Sequence, residues 1–72
     1  MKYLKGAQFV PGKGEALMFY ECTDDDTVLR QCTLHTGTGE HSRTDKPVVK
    51  KLFRPEMLQP STREEFETAW NR

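Results

Sequence analysis

Three long stretches of the chain alternate hydrophobic with polar residues and are separated by turn-forming residues. They are Tyr3–Val10, Ala16–Thr23 and Thr27–Thr36, all rich in the Val, Thr, Phe, Tyr and Leu side chains that suit a pleated strand. Pro11-Gly12 and Asp24-Asp25-Asp26 supply the breaks between them, and short breaks favour antiparallel hairpins. A shorter run, Val48–Phe53, follows a polar stretch. The pattern predicts an antiparallel sheet of three long strands and one short strand.

The lengths of the two turns predict which strand residues lie opposite each other. A three-residue loop at Asp24–Asp26 places Met18 opposite Cys32, and pairing Val10 with Glu15 places Phe9 opposite Ala16. In this register one apolar face carries Phe9, Met18, Cys32 and Leu34. The other face is mixed and carries Leu17, Phe19 and Leu29, with Leu4 and Val10 across the sheet. So many apolar groups on a second face require a cover, either the rest of the chain or a partner.

The C-terminal segment has the pattern of a short helix. Ser61-Thr62-Arg63-Glu64 matches a capping box, which predicts Ser61 as the N-cap of a helix over Thr62–Asn71. Phe66, Ala69 and Trp70 fall on one stripe of that helix and must dock on the sheet, because so short a helix is unstable alone. The expected fold is α+β: a small antiparallel sheet with one C-terminal helix.

Length and composition favour binding over catalysis. The chain has 72 residues, with 11 Lys and Arg against 11 Asp and Glu, so residues 1–72 form one small domain of zero net charge. A domain of this size buries a thin core and has little room for a deep cleft. It contains no apolar run long enough to span a membrane, and its N-terminus lacks the apolar core of a signal peptide. We therefore expect a cytoplasmic protein.

One segment is distinctly basic. Residues 41–54 contain five basic residues and one acidic residue, although the whole chain is neutral. Basic residues beside an aromatic residue are typical of nucleic-acid surfaces, and the residues that would bind are Lys46, Lys50, Lys51, Phe53 and Arg54. Lysines near a sheet edge also prevent aggregation, which is the simpler explanation of the same residues.

Candidate residues for chemistry are few. Cys22 and Cys32 lie too far apart in the predicted register for a disulfide, so we expect reduced thiols. Either could be a nucleophile with His35 or His41 as base, but burial on the apolar face would blunt their reactivity. The histidines lack the spacing of a zinc site, and the acidic turn lacks the spaced ligands of a calcium loop. The sequence predicts no catalytic residue, no metal and no cofactor.

The two ends and the hairpin around the acidic turn resemble a known group of sequences. The residues concerned are Met1–Lys5, Phe19–Asp26 with Leu29-Arg30-Gln31, and Arg63–Trp70 with its Glu-Glu-Phe-Glu-x-x-Trp ending. They are similar to a family of small bacterial domains with a comparable opening strand, acidic hairpin and helical ending, and without an assigned activity. The similarity covers about 20–25 positions and does not extend through residues 37–60. It implies a bacterial, cytoplasmic sheet-plus-helix domain and transfers no catalytic residue.

These observations predict a non-enzymatic protein-interaction module. The binding surface would be an exposed sheet face or the loop 37–47, and the partner another protein or a second copy of the chain. The expected contacts are Leu17, Phe19 and Leu29 as apolar residues, with Arg43 and Lys46 as charges at the rim. The alternative is a nucleic-acid-binding domain that uses the basic segment.

Overall fold

The chain folds into a five-stranded antiparallel sheet with one helix packed against it. The computed structural model describes residues 1–12, 14–47, 50–52 and 55–72. The elements are β1 (Lys2–Val10), β2 (Gly14–Cys22), β3 (Val28–His35), β4 (His41–Thr44), a 3-10 turn (Pro55–Met57), β5 (Gln59–Pro60) and α1 (Arg63–Trp70). The strand order is β4-β3-β2-β1-β5. The predicted α+β class, with a small antiparallel sheet and a C-terminal helix, is confirmed.

The first hairpin is one residue tighter than predicted. Val10 pairs with Gly14, not with Glu15, and Phe9 consequently pairs with Glu15. Gly14 adopts φ +86°, a left-handed conformation that costs glycine little and that lets the strand begin one residue early. The predicted pairing of Phe9 with Ala16 is therefore wrong. A slip of one residue moves every side chain of a strand to the other face relative to its neighbour, so the predicted faces change as well.

A β-bulge changes the register of the second hairpin. Cys22 pairs with Val28 as predicted, but the neighbouring pair is Glu21 with Arg30, which leaves Leu29 as the extra residue. Beyond the bulge Phe19 lies opposite Cys32. The predicted pairing of Met18 with Cys32 is wrong, since Met18 faces Thr33.

Two separate apolar clusters lie on the two faces of the sheet. On the face that carries α1, here called the helix face, Cys32, Phe66 and Ala69 are buried, with Tyr3, Phe19 and Trp70 packed around them. On the opposite face, here called the connector face, Tyr20, Cys22 and Val28 are buried, with Met18, Leu52 and Leu58 against them. Met18 and Cys32, predicted on one face, lie on opposite faces. Leu4, predicted on the same face as Leu17, pairs with Tyr20 on the connector face.

The helix begins one residue later than the capping-box pattern predicts. Thr62 is the N-cap, and its Oγ1 accepts a hydrogen bond from the Glu65 N–H at 3.1 Å. Ser61 instead joins the helix to the sheet, because its N–H donates to the Tyr3 carbonyl at 2.8 Å. Phe66 and Ala69 are buried against the sheet, as the apolar stripe predicts.

Both edge strands are short and were not predicted. β4 (His41–Thr44) pairs with β3, and β5 (Gln59–Pro60) pairs with Leu4 and Lys5 of β1. The strand predicted at Val48–Phe53 falls partly on residues outside those described. Among the described ones, Lys51 forms an isolated bridge with Thr27 and the Lys50 carbonyl accepts the Val28 N–H at 2.8 Å.

Candidate functional site

The helix covers only part of the helix face. It runs across the strands, from Lys5 of β1, whose Nζ lies 3.0 Å from Glu65 Oε2, to Arg43 of β4, whose Nη1 lies 2.6 Å from the Trp70 carbonyl oxygen. A helix laid across strands covers about 10 Å of their length, whereas the nine residues of β2 extend about 30 Å. Among the described residues, the half of this face nearer the β1–β2 turn is therefore left open.

An open cleft lies beside the helix on this uncovered half. Its volume is about 600 Å³, its floor is formed by Leu17, Phe19 and Leu34, and its wall by Thr62, Glu64, Glu65, Thr68, Ala69 and Arg72. A second cleft of about 340 Å³ continues from Leu17 and Phe19 across Ala7 to Gln59 of β5. Together the two clefts form one surface, here called the open cleft, whose apolar floor crosses β3, β2 and β1 and which ends at β5.

The charged groups around the open cleft are largely satisfied. Hydrogen bonds from Ser61 and then from Lys5 hold the pKa of the Glu65 carboxyl below its ordinary value. Glu64 and Arg72 are exposed on the same wall. The surface therefore has an apolar floor and a rim with charges of both signs, the usual composition of a protein-binding patch.

The structure brings together only two of the five residues predicted to bind a protein. Leu17 and Phe19 lie side by side in the open cleft. Leu29 is the half-buried extra residue of the bulge. Arg43 stacks 5.7 Å from the Trp70 ring while it binds the last turn of the helix, and Lys46 is exposed beyond β4.

The sequence missed two contributors to this surface, Ala7 and Leu34, and the exposed Phe9 on the same face of the sheet. Phe9 and Leu34 were predicted on the face opposite Leu17. They share the face of Leu17 because the tighter first turn and the bulge each shift the register by one residue. Only the tighter first turn has a signal in the sequence, because a glycine at position 14 adopts a positive φ at little cost. The bulge has no such signal.

The residues of the nucleic-acid alternative are only partly described. Lys46, Lys50 and Lys51 are exposed, whereas Phe53 and Arg54 lie outside the described residues. The combination of basic and aromatic side chains on which that alternative depends thus stays a prediction.

A charged cluster centred on Arg30 joins the helix to the sheet. Arg30 donates to both carboxylate oxygens of Glu21 at 2.7 and 2.8 Å and to Glu67 at 2.8 Å. Its guanidinium carbon lies 4.8 Å from the centre of the Phe66 ring and 4.9 Å from that of Trp70. The guanidinium thus spends its paired N–H donors on carboxylates of β2 and α1 rather than on a ligand. The cluster therefore positions α1 on the sheet.

Cys32 and His41 meet beneath the end of the helix. Cys32 Sγ lies 3.1 Å from His41 Nε2, and the Ala69 carbonyl accepts from both, at 3.3 Å from the thiol and 2.8 Å from the imidazole. This is the spacing of a nucleophile and its base. Cys32 is however fully buried, burial raises the pKa of its thiol, and a helix C-terminal carbonyl disfavours a thiolate. The pair is better suited to holding the helix end than to attacking a substrate.

The two cysteines are free, as predicted, and both are buried. Burial raises the pKa of the Cys22 thiol to about 11. Within residues 1–12, 14–47, 50–52 and 55–72, no three His, Cys, Asp or Glu side chains come together as ligands for a metal ion. In the acidic turn, Asp25 accepts from Thr23 and Thr27, and Asp26 pairs with Lys2.

Comparison with family descriptions, curated proteins and solved structures finds no match for this chain. The resemblance to small bacterial domains therefore stays a prediction. Among the described residues, no helix has the length and apolar character needed to cross a membrane.

Proposed function

We propose that this chain is a protein-interaction module whose binding surface is the open cleft on the helix face. The observation that carries the proposal is the apolar floor of Leu17, Phe19 and Leu34, which the helix leaves uncovered in a cleft of about 600 Å³. A domain of 72 residues has few apolar side chains to bury, so an uncovered apolar floor favours a partner.

The chemistry of the open cleft favours a protein over a small substrate. The lining groups Lys5 and Glu65 bind each other, and the buried thiol of Cys32 lies under the helix rather than in the cleft. An apolar floor with a mixed charged rim supports binding of apolar side chains that are flanked by polar groups. The loop 37–47 is a weaker candidate, because His41–Thr44 within it is paired with β3.

The proposal can be tested with a random peptide library displayed on phage and selected on the immobilised protein. We expect the selected peptides to share aromatic or aliphatic residues. Each peptide is then synthesised, and its dissociation constant is measured by fluorescence polarisation against the native chain, Leu34→Asp and Leu17→Asp.

Placing a carboxylate on the floor should weaken binding by about tenfold or more, because apolar burial worth about 1.4 kcal/mol is lost. Ser42→Asp is the matched control, since Ser42 is exposed on β4 and outside the open cleft, and it should leave the dissociation constant unchanged. Peptides that bind Leu34→Asp and Leu17→Asp as tightly as they bind the native chain would contradict the proposal. Amide spectra confirm that each variant is folded.

A further inference from the structure

The outer edge of β1 is only half covered. β5 pairs with Leu4 and Lys5, and within the described part of the chain no strand pairs with the outer edge of β1 from Gly6 to Val10. The other edge of the sheet is protected differently: β4 has four residues, among them Arg43, and the charged residues Asp45 and Lys46 follow it. Short, charged edges discourage pairing between sheets.

The uncovered part of β1 lacks the usual protection. Its sequence, Gly6-Ala7-Gln8-Phe9-Val10, contains neither a charge nor a proline. It also carries Phe9, whose side chain is 73% exposed. An exposed, uncharged edge strand with an aromatic side chain is a template for pairing with another strand.

The alternation of hydrogen bonds along β1 identifies the backbone groups that point outward. The Tyr3 carbonyl accepts the Ser61 N–H on the β5 side at 2.8 Å, so the polar backbone groups of Tyr3 point away from β2. In an antiparallel strand the residues with outward groups alternate. Ala7 and Phe9 therefore direct their N–H and C=O groups outward, whereas Gln8 directs its groups to β2.

A second copy of the chain satisfies these groups in one register. When Gln8 lies opposite its own copy across a two-fold axis, Ala7 lies opposite Phe9 of the second copy and Phe9 opposite its Ala7. The outward N–H and C=O groups of these residues then form four intermolecular hydrogen bonds. The axis stands perpendicular to the sheet, so both helix faces lie on the same side.

The side chains fit the same register. Ala7 lies in the smaller part of the open cleft, of about 340 Å³, beside Leu17 and Phe19. Cross-strand neighbours stand about 5 Å apart, so the Phe9 ring of the second copy meets Ala7 at the mouth of this cleft. Each ring would bury up to about 150–250 Å², and the relation is reciprocal, as a two-fold interface requires.

We propose that the chain forms a two-fold dimer through β1, with Gln8 on the axis and Phe9 of each copy against Ala7 of the other. This inference rests on the proposed function and names the occupant of part of the open cleft. An interface of five residues on each side is small, so the dimer should form at roughly micromolar concentrations or above.

Sedimentation equilibrium tests the assembly. The native chain should approach twice its mass of 8.4 kDa as the concentration rises. Phe9→Lys should weaken association at least about tenfold, because it places a charge where an apolar ring was buried. Ser42→Lys introduces the same charge on the opposite edge strand and should leave association unchanged.

Two further variants test the register itself. Ala7→Pro removes an outward N–H without removing a bond to β2, so the variant should stay folded and become monomeric. Gln8→Cys places two thiols on the axis, at a backbone separation of about 4.5 Å, within the range of a disulfide. Gln8→Cys should form a disulfide-linked dimer on mild oxidation, whereas Ser42→Cys should form no more linked dimer than the native chain.

The outcomes separate this inference from the proposed function. A native chain that stays monomeric at millimolar concentration, or Gln8→Cys that links no faster than Ser42→Cys, overturns the dimer. If selected peptides still bind the open cleft, and Leu34→Asp still weakens that binding, the proposed function stands and the occupant is a segment of a different protein. If no peptide binds either, both proposals fail.

Discussion

At the scale of single residues, Glu21 and Arg30 show how the bulge creates a specific contact. The bulge places these two residues directly opposite each other on the helix face. Glu21 is 7% exposed, yet its carboxylate accepts from Arg30 and from Tyr3 Oη at 2.9 Å. A buried carboxylate is tolerated only when its oxygens are paired in this way.

We predict that Glu21 makes the fold sensitive to acid. Hydrogen bonds from Arg30 lower the pKa of the folded-state carboxyl, so its stabilisation is present above the unfolded pKa and is lost as the pH falls through the lowered value. Glu21→Gln should reduce the free energy of unfolding by about 1.5–3 kcal/mol at pH 7 and by less in acid.

Urea unfolding at pH 7 and at pH 3 measures this difference. Glu15→Gln is the matched control, because Glu15 is exposed on the same strand. A loss for Glu21→Gln that is equal at both pH values would show that the charge of Glu21 is not responsible.

At the scale of elements, the short helix depends on its two ends. Its first turn is capped by Thr62, and its last turn is held by Arg43 at the Trp70 carbonyl and by His41 at the Ala69 carbonyl. An eight-residue helix is unstable alone, so these polar contacts and the burial of Phe66 together keep it on the sheet.

We predict that Thr62, and not Ser61, determines where the helix begins. Thr62→Ala should lower the free energy of unfolding by about 0.5–2 kcal/mol, because the Glu65 N–H loses its acceptor. Thr68→Ala makes the same change within the helix, at an exposed site, and should have little effect. Chemical denaturation measures both, and equal losses would argue against Thr62 as the cap.

At the scale of the whole molecule, the two apolar clusters share one sheet. β2 and β3 supply Phe19 and Cys32 to the helix face and Tyr20 and Val28 to the connector face. Loss of either cluster exposes the strands that support the other. A typical free energy of unfolding for 72 residues is about 4–11 kcal/mol, so the loss of either cluster would remove a large fraction of the stability.

We predict that the two faces unfold together. Trp70 is the one tryptophan and stacks on Phe66 at 5.9 Å between ring centres, so its fluorescence reports the helix face. Circular dichroism at far-ultraviolet wavelengths reports the whole sheet. Thermal unfolding followed by both probes should give coincident transitions. A fluorescence change at lower temperature would mean that the helix leaves the sheet first.

The sequence is sufficient to predict the three long strands and the helix but not the register of the strands. The three long strands and the helix follow from local alternation and from the stripe of Phe66, Ala69 and Trp70. The sides of the strands depend on Gly14 and on the unpaired Leu29, which no periodicity indicates. β4 owes its strand form to pairing with β3 and β5 to pairing with the distant β1, and the composition of these two polar segments gives no sign of either pairing.

The bulge at Leu29 has a consequence for how this chain can change. Because Leu29 faces no residue of β2, another side chain can replace it while every partner in the hairpin is kept. Its removal would close the bulge and keep the same pairs, with Arg30 opposite Glu21 and Cys32 opposite Phe19, because Val28 and Arg30 already lie on opposite faces of the sheet. The hairpin can therefore accommodate one residue more or less at this position, whereas a deletion elsewhere in β3 would shift the register and turn the side chains beyond it to the other face.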